Sequence, residues 1–516
     1  MITTDSLSRS RLSTVRRLRL AMATAAGAAL CAAFAPMNLW LLGLLSPAAL
    51  MALWQRATPR HAAALGFCFN FGTFVAGTYW LYISIHVMGG LPIWMALIVM
   101  AALVFMLSLY GAFLGWMVAT WLPPAGATRW LVGLPFAWLL VEWFRGWFLT
   151  GFPWLSIGYS QTDTWMAGIA PVLGVYGVSA LLLLGAGALL CLALGTRRER
   201  LLGMLVLVLV WVVPGLLRGI AWTHPSGAPV SVAIIQGAIP ADLKWTEEHY
   251  AEQFDTYRDL TRSALGAQVI VWPEAALPES AQQASEYLLE RYHEAHAHQS
   301  ALVIGIFREE AASNDQPPRT FNSLLTMGSE SVDWFDKQHL VPFTEIIPGP
   351  AFARQWLAFL LRIDEFTRGA SRQSPVRAGP LVLLPSICYD DGYGSSNLDM
   401  LPAANALVNV TNDGWFGRST ARYQHLQIAQ MRSIETGRYL IRAANDGISA
   451  IIGPDGKVLK TAPGFVPTVL HGSVVPMQGM PPFARFGNWP VLLLGTAALL
   501  AILADRDGPG IKSAGQ

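Results

Sequence analysis

Three short patterns in this sequence place a carboxylate, an ammonium and a thiol in similar surroundings. They are Val271-Trp-Pro-Glu274-Ala-Ala-Leu-Pro278, Asp336-Lys337-Gln-His-Leu-Val-Pro-Phe-Thr-Glu345 and Ser386-Ile-Cys388-Tyr-Asp-Asp391. Each lies at or just beyond the end of a strand-like apolar run, where an α/β sheet presents residues to a ligand. Taken singly each has a bland reading. A cysteine ending a strand packs as a small hydrophobe, a glutamate after Trp-Pro caps a turn, and a Lys-x-His is surface charge. Together they form a chemistry. A thiol nucleophile needs a base to take its proton, which a carboxylate can do, and a lysine ammonium can stabilise the oxyanion that follows.

The surrounding pattern predicts an α/β domain. Val230–Ile235, Val269–Trp272, Ala301–Ile306, Ser323–Met327, Leu381–Ile387, Ala406–Val410 and Ser449–Ile452 read as strands. Trp245–Leu265, Ser280–Gln299 and Tyr423–Thr436 read as helices, the first with Thr246 as its cap and Glu247 and Glu248 in its first turn. Near-continuous apolar strands separated by helices imply sheets buried on both faces. Ser473–Pro482 reads as a linker.

The rest of the chain has a different composition. Of 516 residues, 53% are apolar and 13% charged, against about 25% charge in a soluble domain. The shortage lies mainly between residues 18 and 222, which form candidate membrane spans of the ~20 apolar residues a bilayer requires. They are Leu18–Phe34, Leu39–Trp54, Ala62–Ile85, Leu91–Trp121, Trp130–Leu149, Met166–Leu194 and Leu201–Trp222, with Trp489–Ala504 as an eighth. Arg9, Arg11, Arg16, Arg17 and Arg19 flank the first span; Arg56, Arg60, Arg129, Arg197, Arg198 and Arg200 fall in alternate loops. Positive charge marks the cytoplasmic side, so the N-terminus and the tail 505–516 are expected inside and the α/β domain outside. Arg218 runs against this pattern. The predicted domains are a transmembrane bundle over 1–228, a catalytic domain over 229–478, and a last span with its tail over 479–516.

A formal charge of +2 gives no basis for nucleic-acid binding. Cys31, Cys68, Cys191 and Cys388 have neither metal-ligand spacing nor a disulfide pattern, so no metal and no cofactor are expected. Within the spans, Glu142 and Arg145 are three apart and share a helix face. A structural ion pair near the interface is the plain reading of them, and a substrate headgroup contact the functional one. The Thr150-Gly-Phe-Pro-Trp154 stretch that follows reads as an interfacial loop.

The three patterns resemble the Glu-Lys-Cys signature of the carbon–nitrogen hydrolase (nitrilase) superfamily, over roughly residues 229–475. With the apolar half included, nearly the whole chain resembles the apolipoprotein N-acyltransferase family. Thr150-Gly-Phe-Pro-Trp154, Gln236 through Lys244-Trp245, His339-Leu-Val-Pro-Phe343, Asn412-Asp-Gly-Trp-Phe-Gly417, Gln424-His425 and Arg438 with Arg442 all match that family's segments. The resemblance implies a membrane bundle of about eight spans carrying an αββα sandwich. It implies Glu274 as general base, Lys337 as oxyanion stabiliser and Cys388 as nucleophile. Glu345 would orient Lys337, Tyr389 and Asp390 would support the site, and Trp245, Tyr389 and Trp415 would line the lipid path. Two positions depart from the family's usual pattern: Thr344 stands where glycine is usual, and Asp390 where glutamate is usual.

The same resemblance implies the reaction and its partners. The acyl donor would be a phospholipid of the phosphatidylethanolamine type and the acceptor a diacylglyceryl-cysteine lipoprotein. The setting would be the bacterial inner membrane, with catalysis on the periplasmic side. A competing reading is a membrane-tethered amidase or lipid hydrolase using the same triad. A non-enzymatic transporter would be expected to carry several charges within its spans, where Glu142 and Arg145 stand out.

Overall fold

The computed structural model describes residues 4–240, 243–312, 318–328, 331–347, 349 and 365–506. Its contacts divide the chain into two units, Met1–Ile220 with Asn488–Gln516, and Ala221–Gly487. The expectation for the tail falls largely on 507–516, outside the described residues.

The first unit is helical. Its main helices are Thr4–Leu30, Leu41–Leu53, Pro59–Gly77, Ile93–Trp121, Leu134–Arg145, Ala170–Leu194, Arg197–Leu217 and Trp489–Arg506. Among the described residues three helical stretches are long and apolar enough to cross a membrane, Ile93–Trp121, Trp165–Leu194 and Arg197–Leu217. Leu41–Leu53 and Trp489–Asp505 are apolar but shorter. Outward-facing Leu97, Ile98, Phe105, Leu109, Leu205, Val208 and Val212 are exposed, a surface suited to lipid. Pro59–Gly77 and Ile93–Trp121 approach closely at Gly66 and Gly111, where a Cβ on either would collide with the other's carbonyl.

Several boundaries differ from the sequence reading. The span expected to end at Ile85 is interrupted after Gly77, where the Thr78 hydroxyl donates to the Phe74 carbonyl at 2.6 Å, and continues as a π-helix over Ile83–Met88. The Trp130–Leu149 span is helical in the α form only over Leu134–Arg145: Thr128–Gly133 before it is a π-helix, and Gly146 caps its end. The helix expected from Leu201 begins at Arg197, since Thr196 and Glu199 form a capping box there. Glu142 and Arg145 tie down the segment that follows them. Ser179 Oγ and the Ile157 N–H donate to Glu142 at 2.6 and 3.2 Å, while Arg145 Nη1 donates to the Trp154 carbonyl at 2.7 Å.

The second unit contains fourteen strands among the described residues: β1 His224–Pro225, β2 Val230–Gln236, β3 Val269–Val271, β4 Ala301–Glu310, β5 Arg319–Met327, β6 Val332–Asp336, β7 Val376–Ala378, β8 Leu381–Ile387, β9 Ala406–Thr411, β10 Leu440–Ala444, β11 Ala450–Ile452, β12 Val458–Thr461, β13 Thr468–Val474 and β14 Met477–Gln478. Two six-stranded sheets result, in the orders β13-β2-β3-β4-β5-β6 and β12-β11-β10-β9-β8-β7. The linker expected at Ser473–Pro482 is instead partly strand, with β14 pairing β1.

Two-residue periodicity builds the layers. Val230, Val232 and Ile234 point inward and meet Leu383, Ile387, Val408 and Ile441 of the other sheet in one buried core. Ala233, Ile235, Ile270 and Ile304 point the other way and pack on Tyr257 and Ala264 of helix Tyr250–Ala264 and on Leu288 and Ala295 of helix Ser285–Ala297. Leu407, Leu440 and Ile452 pack likewise on Ala429 of helix Ala421–Thr436. The order is helix, sheet, sheet, helix. The first of these helices starts later than predicted, at Tyr250, and Thr246 makes no side-chain cap bond.

Candidate active site

Glu274 sits three residues beyond β3 on a stretch that continues alongside β4. The Trp272 and Ala276 N–H groups donate to the Val303 and Gly305 carbonyls at 2.7 and 2.8 Å. Gly305 is required there, because any Cβ would collide with the Pro273 carbonyl. Lys337 follows β6 directly, and its N–H donates to the Asn322 carbonyl at 2.8 Å. Cys388 follows β8 and takes a left-handed backbone, φ +48°. Such a conformation costs a non-glycine residue about 1–2 kcal/mol and recurs at functional sites.

These strand ends bring the predicted groups together. Lys337 Nζ lies 3.0 Å from Glu274 Oε1 and 2.9 Å from Glu345 Oε1, with all three side chains buried. The Asn412 N–H donates to Glu274 Oε2 at 2.9 Å, and the Val341 N–H to Glu345 Oε2 at 2.8 Å. Asn322 Nδ2 donates to both carboxylates, at 2.7 Å to Glu274 and 2.9 Å to Glu345. Burial opposes the charge of Lys337, but Glu274 and Glu345 outweigh it and hold the ammonium well above its ordinary range. Burial first, and then the Glu274 charge, push the Cys388 thiol up, while Lys337 draws it down. The thiol therefore rests protonated within electrostatic reach of a carboxylate and a cation, the state from which a base-assisted attack starts.

Asp390 ties two patterns together: it accepts from the Ile387 N–H at 3.2 Å and from the His339 N–H at 2.7 Å. The Tyr389 ring meets Tyr393 edge-on at 5.4 Å. Trp245 is partly exposed and stacks on Phe307 at 5.7 Å. It adjoins Lys244, a buried lysine whose Nζ approaches the Glu274 carbonyl at 3.5 Å. Trp415 is partly exposed three residues beyond Asn412.

The profile of the apolipoprotein N-acyltransferase N-terminal domain matches residues 26–188, and that of carbon–nitrogen hydrolases matches 231–476. An apolipoprotein N-acyltransferase of Azotobacter vinelandii is 41% identical over 503 residues, covering 95% of this chain and 96% of that one. The chain belongs to the apolipoprotein N-acyltransferase family. The relative of that name in Methylococcus capsulatus is 40% identical over 91% of this chain and 93% of its own. Among solved structures, a carbon–nitrogen hydrolase from Helicobacter pylori is similar at 15% identity and a TM-score of 0.35, over 55% of this chain and 95% of that one.

Against the family's usual pattern, the two departures have local explanations. The turn between Lys337 and Glu345 takes its positive φ at Phe343, +63°, so Thr344 is not asked for a glycine conformation. The Glu345 N–H donates to the Val341 carbonyl at 2.9 Å and closes the turn. Asp390, though one methylene shorter than the usual glutamate, still spans Ile387 and His339.

Asn322 and Lys244 were not read from the sequence as parts of the site. Asn322 carried little signal, because β5 also holds Thr320, Ser323 and Thr326 and one more polar residue does not stand out there. Among the described residues no group of His, Cys, Asp or Glu has the geometry to hold a metal ion.

Proposed function

We propose that this protein transfers an acyl chain from a phospholipid to the N-terminal amine of diacylglyceryl-cysteine lipoproteins, through a thioester on Cys388. The observation that carries the reading is the Glu274–Lys337–Glu345 cluster beside the strained Cys388, in a chain with long apolar helices. Full-length relatives bearing the name apolipoprotein N-acyltransferase support it.

In the first step Glu274 takes the thiol proton and Cys388 Sγ attacks the ester carbonyl carbon of a phosphatidylethanolamine-type donor. Lys337 and the Tyr389 N–H stabilise the oxyanion. Collapse breaks the ester C–O bond, and the lysophospholipid oxygen leaves with the proton that Glu274 holds. In the second step the acceptor amine attacks the thioester while Glu274 takes its proton. The amide forms, the C–S bond breaks, and the thiolate regains its proton from Glu274. Glu345 and Asn322 keep Lys337 aimed, and Trp245, Tyr389 and Trp415 line the acyl path. Such a two-step route gives ping-pong kinetics.

The setting proposed is the bacterial inner membrane, with about eight spans, the termini inside, and the catalytic domain on the periplasmic side. The domains are proposed as 1–228, 229–478 and 479–516. The deciding experiment is mass spectrometry of the purified enzyme after incubation with phospholipid. An acyl adduct on Cys388, present in the wild type and missing in Cys388→Ala, is expected. Turnover without any adduct on that residue would refute the thioester route.

A further inference from the structure

His425 lies directly behind the nucleophile, with its side chain almost fully buried. It projects from helix Ala421–Thr436, and both of its ring nitrogens face oxygen atoms. Nδ1 is 2.9 Å from Asp413 Oδ1, and Nε2 is 3.2 Å from the backbone carbonyl of Cys388. Neither partner has a hydrogen to give, because one is a carboxylate and the other a carbonyl. A neutral ring carries one N–H, so its other lone pair would point at an oxygen. A doubly protonated ring satisfies both contacts.

We propose that His425 is held as an imidazolium and serves as a positioning residue for Cys388. Asp413 fixes one N–H and the Cys388 carbonyl receives the other. The inference rests on the reading of Cys388 as the nucleophile.

Three physical consequences support it. The peptide between Cys388 and Tyr389 is planar, so fixing its carbonyl fixes the direction of the Tyr389 N–H, the proposed oxyanion donor. The left-handed backbone at Cys388 is strained, and a charge-assisted hydrogen bond to its carbonyl helps hold it. The surrounding charges also favour a cation. Asp413 faces the ring directly and shares Arg442 with Asp391, whose carboxyl burial pushes up while His425 and Arg442 draw it down. Burial opposes the Asp413 charge, yet Arg442 and His425 hold its carboxyl at about 2. Asp413 acts on the Cys388 thiol in turn, pushing it up. A cation at His425 counters that push.

The test uses the full-length enzyme in detergent. Nitrogen-15 histidine spectra of the wild type, with the His425 signal assigned by its loss in His425→Gln, are expected to show a proton on both ring nitrogens at neutral pH. An unprotonated nitrogen at His425 overturns the proposal. The second readout is alkylation of Cys388 by iodoacetamide as a function of pH, followed by peptide mass spectrometry. In His425→Gln, which keeps one donor but loses the charge, the profile is expected to move to higher pH. Acylation is expected to slow by about 10- to 100-fold, the worth of one charge-assisted hydrogen bond. Removing the opposing charge as well, in His425→Gln with Asp413→Asn, is expected to move the alkylation profile back. An unchanged profile in the single variant would leave His425 a packing residue. If the variant fails to fold, assignment by a second histidine substitution set on the wild-type background still decides the protonation state. Acylation surviving in Cys388→Ala would remove the nucleophile reading, whereas the spectra report on His425 alone.

Discussion

Asn322 Nδ2 bridges Glu274 and Glu345, at 2.7 and 2.9 Å, and those two carboxylates also share Lys337 Nζ. One amide and one ammonium therefore hold two buried negative charges at a fixed separation. Asn322→Leu, of similar volume, removes the amide and leaves Lys337 as the one side chain that bridges the two carboxylates, each of which keeps its backbone donor. Acyl-enzyme formation is expected to fall by about 10- to 100-fold, from the loss of hydrogen bonds to charged groups. Single-turnover acylation measures this, and a rate within twofold of wild type would show that Lys337 alone positions the base.

The nucleophile is held in a backbone conformation that favours glycine. Cys388→Gly and Cys388→Ala should both be unable to form acyl-enzyme. Their stabilities should nevertheless differ, because glycine enters the left-handed region without the Cβ penalty. Cys388→Gly is expected to melt higher than Cys388→Ala by the equivalent of about 1 kcal/mol. Equal melting temperatures would mean that the turn carries no strain.

How much of this was legible in the sequence depends on what each residue touches. Cys388 and Glu274 could be found because each follows an apolar run, and β3 and β8 do end beside them; β6, which precedes Lys337, was not read as a strand, because Asp333 and Asp336 break its apolar pattern. β10 was not predicted, because Arg442 interrupts it. The structure buries that arginine against Asn409 and Asp413, at 2.5 and 3.0 Å. Such a partnership between distant residues leaves no periodicity. β12 and β13 are half-exposed strands containing Lys460 and His471, so alternation there is weak. In the helical unit the apolar runs were visible, but their ends were not. Thr78, Gly146 and the Thr196–Glu199 box set those limits through hydrogen bonds.

Asp446 gives a pH signature. Burial, and then the like charge of Asp413, push its carboxyl up to about 7, from an ordinary value near about 3.9 in the unfolded chain. The folded state therefore favours the protonated acid. That contribution is complete below about pH 4 and is lost as pH rises through 7. Asp446→Asn stays neutral throughout. Its melting temperature relative to wild type is expected to rise between about pH 4 and 7 and to level off above 7. A difference that does not change with pH would rule out this titration.

The proposed topology makes a separate demand on the chain. With seven spans before residue 229, a reporter that is active only after oxidative export should work when fused after Pro476 and fail when fused after Thr196. The reverse pattern would put the thiol on the wrong side for lipoprotein substrates.

The acceptor is the last point, and it separates a transferase from a hydrolase. A thioester is open to water, so a hydrolase would discharge it as fast as it forms. A lipid-facing protein has a reason to do otherwise. Its exposed Leu97, Phe105, Leu205 and Val208 need an apolar surround, and a site served by lipid substrates can exclude water from the intermediate. Acyl-enzyme isolated in detergent is therefore expected to persist in buffer. It should discharge on addition of a diacylglyceryl-cysteine peptide with a free N-terminus, giving the N-acyl product. The same peptide with an acetylated N-terminus has no nucleophilic amine and should leave the thioester intact. The Glu274→Gln variant supplies an internal check, because the amine must give its proton to Glu274 as it attacks. Acyl-enzyme formed slowly on that variant should also discharge slowly. Rapid loss in buffer, indifferent to the peptide, would mean that water is the acceptor and that the enzyme is a lipid hydrolase.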